Sequence, residues 1–131
     1  MFKSVLDINE FKYLKDILEK DSGEKLNIRE DFGRIFIEGT ESELMLRFFK
    51  HTNTIIIARI RVKNQRTGIA SSILEWLKDY AKKNNYNNIK LESTLTAEIN
   101  GFAKKHNFKP VEHKGSYFEG MFYGDWNLEL D

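Results

Sequence analysis

The sequence predicts an α+β domain, sandwich-like in its layering: a mixed, mostly antiparallel twisted sheet flanked by helices. Three observations predict it. Four short segments rich in Ile, Leu and Phe lie close together between residues 25 and 62, separated only by turn residues, as antiparallel hairpins require. After Gly68 the apolar period changes from two to that of a helix, and a short strand-like segment follows. That order is the mark of a crossover between two parallel strands. Finally, 131 residues with 40% hydrophobic and 31% charged side chains suit one domain (1–131) with one core.

In chain order, residues 2–6 read as a short first strand. Asp7 caps a helix, with Glu10 placed to complete a capping box. Ile8, Phe11, Leu14, Ile17 and Leu18 recur at helical spacing to about Lys20, and Asp21, Ser22 and Gly23 stop the run. Residues 25–29, 34–38, 44–50 and 54–62 read as strands. In the last of these, strict alternation puts Ala58, Ile60 and Val62 on one face and Ile57, Arg59 and Arg61 on the other. Ile69, Ile73, Trp76, Leu77, Tyr80 and Ala81 form one face of a helix over 71–83, with Lys82 and Lys83 at its C-terminal end. Residues 89–93 read as a strand and 97–106 as a second, shorter helix, which Pro110 prevents from continuing. In the aromatic tail, 111–113 and 126–130 are strand candidates.

Composition narrows function. Lys plus Arg number 21 against 20 for Asp plus Glu, a net charge of +1, so no global field draws the chain to nucleic acid or membrane. There is no cysteine, which removes thiolate catalysis and Cys-type zinc sites. His51, His106 and His113 lack metal-site spacing, so no metal is expected. No signal peptide or membrane span is read, and a cytoplasmic protein is expected. Lys104, Lys105, Lys109 and Lys114, with Tyr117 and Phe118, offer charge and stacking to nucleic acid. The balanced net charge favours a solvated lysine face instead.

The segment 55–83 organises the rest. A β-branched strand runs into Lys63-Asn64-Gln65-Arg66-Thr67-Gly68-Ile69-Ala70 and then directly into the helix. Helix N-termini present unpaired N–H groups and partial positive charge, so strand, glycine turn and helix start make a site for a phosphorylated ligand. Gln65 to Ala70 fits Gln/Arg-x-x-Gly-x-Gly/Ala, and the motif resembles the acyl-CoA-binding motif of the GNAT (Gcn5-related N-acetyltransferase) superfamily. The order of elements after residue 55 is similar to the family's core; the N-terminal part has one clear helix where two are usual.

The resemblance implies an N-acyltransferase, most simply one moving acetyl from acetyl-CoA to an amine. It implies that N–H groups of Arg66, Thr67, Gly68, Ile69 and Ala70 cradle the CoA diphosphate, with Gln65 and Ser71 at the ends of the cradle. It implies that Ile60, Arg61 and Val62 offer main-chain groups to the pantetheine arm, and that the two central parallel strands splay around the thioester. Against the family's Asn-x-x-Ala-x-x-Leu-Tyr-x-x-x-Gly-Phe, anchored on Phe108, the matching positions hold Thr96, Ile99, Phe102, Ala103 and Asn107. Ala103 thus stands where the thiolate-protonating tyrosine often lies, and residues 54–62 contain no carboxylate to serve as base. Glu92 is the first candidate base, and Tyr117 and Tyr123 are candidate acids if the tail folds over the cleft. The alternative is a GNAT-fold module that binds acyl-CoA or a partner without turnover. The acceptor is unspecified, and the aromatic tail is the expected patch for a homodimer.

Overall fold

Asp7 opens the first helical segment as its sequence predicts: the carboxylate accepts the Asn9 N–H at 3.0 Å. The first turn is 3-10 (Ile8–Phe11) and passes into α1 (Lys12–Ser22), which Gly23 ends in the left-handed conformation at φ 75°. The computed structural model describes residues 6–64, 67–92 and 97–130; the strand expected over 2–6 lies outside them except for Leu6. Four strands follow, β1 (Asn27–Asp31), β2 (Arg34–Glu38), β3 (Glu43–Phe49) and β4 (Thr54–Arg61). Next come α2 (Ile69–Lys83), β5 (Asn88–Leu91), α3 (Ala97–Lys105), β6 (Lys109–Phe118) and β7 (Met121–Glu129).

Among the described residues seven strands join one sheet in the order β1-β2-β3-β4-β5-β7-β6. Among the described residues only β4 and β5 pair in parallel, Thr54 to Ile57 against Asn88 to Leu91; every other pair is antiparallel. This is the mixed α+β sheet the sequence predicts.

One face of the sheet carries the core. Ile35, Leu46, Ile57, Leu91 and Trp126 lie in one register row, and Ile37 and Leu44 in the next. They form one buried cluster with Leu14 and Leu18 of α1, Ile73, Leu74 and Leu77 of α2, and Ala103 of α3. Phe11, Trp76 and Tyr80 add a knot of rings between α1 and α2, with centroids 5.2 to 5.4 Å apart. The opposite face carries Arg29, Phe36, Met45 and Arg59 in one row and Arg47, Ile56, Lys90 and Asn127 in another.

Two expectations are corrected. The first is the alternation in β4. Met45 pairs with Arg59 and Leu46 with Ile57, so Ala58 is an extra, unpaired bulge residue. The bulge resets the phase, and Ile57 joins Ile60 and Val62 against the same core instead of facing away. The second is the tail. Its strands run to Phe118 and back to Glu129 instead of occupying only 111–113 and 126–130.

The hairpin is possible because Glu119 (φ 50°) and Gly120 (φ 80°) both turn left-handed, a type I′ turn. Between Pro110↔Trp126 and Gly115↔Gly124, β6 spends four residues (111–114) against one (125) on β7, which hides the pairing from any alternation test. Gly115 and Gly124 face each other so closely that a Cβ on Gly124 would sit 2.3 Å from the Lys114 carbonyl oxygen.

Candidate functional site

Among the described residues, parallel pairing runs no further than Ile57↔Leu91. The Glu92 N–H still reaches the Ile57 oxygen at 3.2 Å, but β4 continues to Arg61 after β5 has stopped at Leu91. On the core side of that opening lies a cavity of about 680 Å³. Its walls are the end of β4, the following turn, the start of α2 and one face of α3.

The turn is held from both sides. The Asn64 amide donates to the Asp21 carbonyl (2.8 Å) and carboxylate (3.0 Å) at the C-terminal end of α1. Thr67 Oγ1 donates to the Asn64 oxygen at 2.9 Å. Gly68 then adopts φ 85° and is the N-cap of α2. A residue with a Cβ avoids that conformation, which is why glycine stands at the junction. Among the described residues no side chain caps Gly68. The first intrahelical bond runs from the Ser72 N–H to the Gly68 oxygen, so the N–H groups of Ile69, Ala70 and Ser71 have no intrahelical acceptor.

Eight residues read from the sequence as cofactor-binding line this cavity: Ile60, Arg61, Val62, Thr67, Gly68, Ile69, Ala70 and Ser71. Gln65 and Arg66 lie outside the described residues. The Arg61 guanidinium is engaged elsewhere, donating to the Thr40 oxygen at 3.1 Å and lying 3.8 Å from Glu43.

Asn64, Glu98, Gly101 and Lys105 also line the cavity and were not foreseen. The signal was present: 98, 101 and 105 recur at helical spacing, so they share a face of α3. A hydrogen bond joins the start of α2 to the residue that follows α3, with His106 Nε2 3.0 Å from Ser71 Oγ. Burial holds the His106 imidazole below its ordinary pKa, with help from Lys105 and Lys78 and opposition from Glu75.

The candidate catalytic residues are scattered. Glu92 faces the far side of the sheet, 3.2 Å from Arg47 and outside the cavity wall. Tyr117 and Tyr123 also lie outside that wall, on the β6–β7 hairpin. Tyr117 is 57% exposed and donates to Glu112 at 2.7 Å, a bond that raises its phenol pKa. The Tyr123 hydroxyl lies 3.8 Å from the Met121 sulfur. Ala103, in the place of the family's tyrosine, is fully buried. Asn107 takes the family's glycine position in the left-handed conformation (φ 67°), and the Phe108 N–H closes on the Ala103 oxygen at 2.9 Å. Asparagine tolerates that conformation, so the helix end survives the exchange.

Among the described residues, one parallel strand pair ends beside a strand–glycine turn–helix junction, and solved structures share this fold. The chain is similar to PaiA N-acetyltransferase from Thermoplasma acidophilum in complex with coenzyme A (TM-score 0.53, 14% identity, 92% of this chain and 70% of that one). It is similar to Tetrahymena GCN5 (TM-score 0.54, 14% identity, 77% and 71%) and to nourseothricin acetyltransferase (TM-score 0.52, 9% identity). The last match covers 75% of this chain but 65% of that enzyme, so the chain spans about two thirds of its length. The chain has the GNAT fold. No family model matches the sequence, and no curated protein matches it. Among the described residues no group of His, Asp or Glu is placed to hold a metal, and no helix is long and apolar enough to cross a membrane.

Proposed function

We propose that the protein binds acetyl-CoA, or another acyl-CoA, and transfers its acyl group to an amine. The observation that carries this reading is that Ile60 to Val62 and Thr67 to Ser71 wall one cavity beside the opening of β4 from β5. The acyl-CoA diphosphate belongs at the first turn of α2, where N–H groups and the helix dipole favour an anion. Gln65 and Arg66 complete that cradle in this reading. The end of β4, beyond its last β5 partner among the described residues, suits the pantetheine amides as an added strand would.

Chemistry then needs an amine delivered to the thioester and relieved of a proton. Holding the two together supplies much of the rate. Glu92 faces the side of the sheet opposite the donor cavity, so the acceptor approaches from that face and Glu92 takes its proton, directly or through water. A thiol leaves well with a pKa of about 8.5, so the step does not depend on an acid from the chain. Tyr117, with its phenol pKa raised, is a weak acid and serves better as part of an acceptor or partner surface.

Isothermal titration with acetyl-CoA tests the reading at its base. Binding at micromolar to millimolar concentration is expected; none with acetyl- or longer acyl-CoAs at millimolar concentration overturns it. The second reading, a binding module without turnover, is favoured by Ala103 and by the Arg47 pairing of Glu92. Thiol release over a panel of amines, peptides and protein N-termini separates the two. A homodimer through the aromatic hairpin is part of the first reading, and sedimentation equilibrium decides it.

A further inference from the structure

Ser71 belongs to the cavity wall and His106 does not, yet Ser71 Oγ and His106 Nε2 are 3.0 Å apart. A hydroxyl has one proton to give. If Ser71 gives it to the imidazole, only its lone pairs are left for a ligand in the cavity, and they repel an anion. If Nε2 carries a proton and donates to Oγ, the Ser71 hydroxyl is free to donate outward.

We propose, on the acyl-CoA reading above, that His106 is a positioning residue that acts through Ser71. On diphosphate binding the imidazole takes up a proton, Nε2–H donates to Ser71 Oγ, and the Ser71 hydroxyl donates to the anion. The proton comes from solvent, and no covalent bond changes.

The surroundings set the direction. His106 packs on the Phe102 ring, with centroids 4.6 Å apart, and this supplies no charge. From its own segment Lys105 opposes protonation; from α2, Lys78 opposes it and Glu75 favours it. With burial added, the imidazole is biased to neutrality in the free protein. A diphosphate at the start of α2 adds negative charge on the Ser71 side and raises the imidazole pKa. Affinity is therefore highest below the free-protein pKa of His106 and declines as pH rises through its higher value in the complex.

The probe is dephospho-CoA, because the 3′-phosphate of CoA has its own second ionisation near pH 6 and would mask the effect. Titration calorimetry between about pH 5.5 and 8.5, in two buffers of different ionisation enthalpy, should show uptake of up to one proton per ligand. The dissociation constant should be about tenfold tighter at the acid end, as a one-unit pKa rise requires. His106→Gln, which retains an N–H donor for Ser71 and does not titrate, should bind with a flat pH profile. The His106 imidazole resonances should also titrate at higher pH in the wild-type complex than in the free protein, a readout that does not depend on the variant folding. Binding without proton uptake, or an unchanged pH profile in His106→Gln, overturns this inference alone. No binding of dephospho-CoA by the wild type overturns this inference, and if acetyl-CoA does not bind either the acyl-CoA reading falls with it.

Discussion

Arg47 and Glu92 form an ion pair at 3.2 Å although they stand on β3 and β5, with β4 between them. Arg47 is the register partner of Ile56, so its side chain crosses that residue on the face of the sheet away from the core. Ile56 is only 9% exposed there. The pair orients the Glu92 carboxylate beside the point where β4 and β5 part.

If Glu92 takes the acceptor's proton, Glu92→Gln should lower turnover about 100-fold, the lower end of the range for general bases. Acetyl-CoA affinity should not change, because Glu92 is outside the cavity wall. Steady-state kinetics and calorimetry on one preparation check both. Arg47→Ala should lower stability by no more than about 1 kcal/mol, since both partners of the pair are a third exposed.

Gly68→Val separates folding from ligand binding. Among the described residues a Cβ at Gly68 meets nothing within 4 Å, so the substitution costs conformation, not packing. Holding a β-branched residue at φ 85° should cost about 1–2 kcal/mol. The chain should keep its far-UV spectrum and a cooperative melt while acetyl-CoA affinity falls at least tenfold, as the methyl groups and the shifted turn disturb the first N–H groups of α2.

Two glycines of the β6–β7 hairpin should respond differently to alanine. Gly120 has open space around it and only its φ of 80° to strain, so Gly120→Ala should cost about 1 kcal/mol. Gly124→Ala drives a methyl into the backbone of Lys114 and Gly115, at 2.3 and 2.5 Å, where no side chain can move aside. It should cost about 2–3 kcal/mol, as overpacking does. Urea unfolding of both variants decides the order.

Alkaline pH should unfold the protein through Tyr80. Burial pushes its phenol up to about 12 from 10.0, with Glu10 and Tyr86 adding to the rise. A folded-state pKa above the unfolded value means that the stabilisation is complete below about 10. It is lost as pH rises through the folded value. The melting temperature should therefore fall between about pH 10 and 12, and Tyr80→Phe should flatten that fall; scanning calorimetry across the interval is the check.

Much of the fold was legible in the sequence because it is written in local pattern. Asp7, Gly23 and the 3.6-residue period of α1 are decided within a turn or two, and β2 falls on its expected residues. The run from Thr67 to Ser71 was legible for the same reason, since strand, glycine and helix start are neighbours in the chain. The bulge at Ala58 was not legible: whether a residue is paired depends on β3, and only the register of two strands reveals it. The pairing of the tail is hidden likewise, because four residues of β6 against one of β7 erase the period of two.

By itself, then, the sequence determined the class of the fold and the half of the cavity that is continuous in the chain, because both follow from short-range steric preference and hydrophobic period. The tertiary structure decided what depends on residues distant in sequence meeting in space. It brought α3 across the cavity, joined His106 to Ser71 over 35 positions, and set Glu92 against Arg47 on the far side of the sheet from the cavity. The first two contacts arise from packing one face of the sheet against α1, α2 and α3, and the third from the register of β3, β4 and β5 on the other face; no local rule encodes that register.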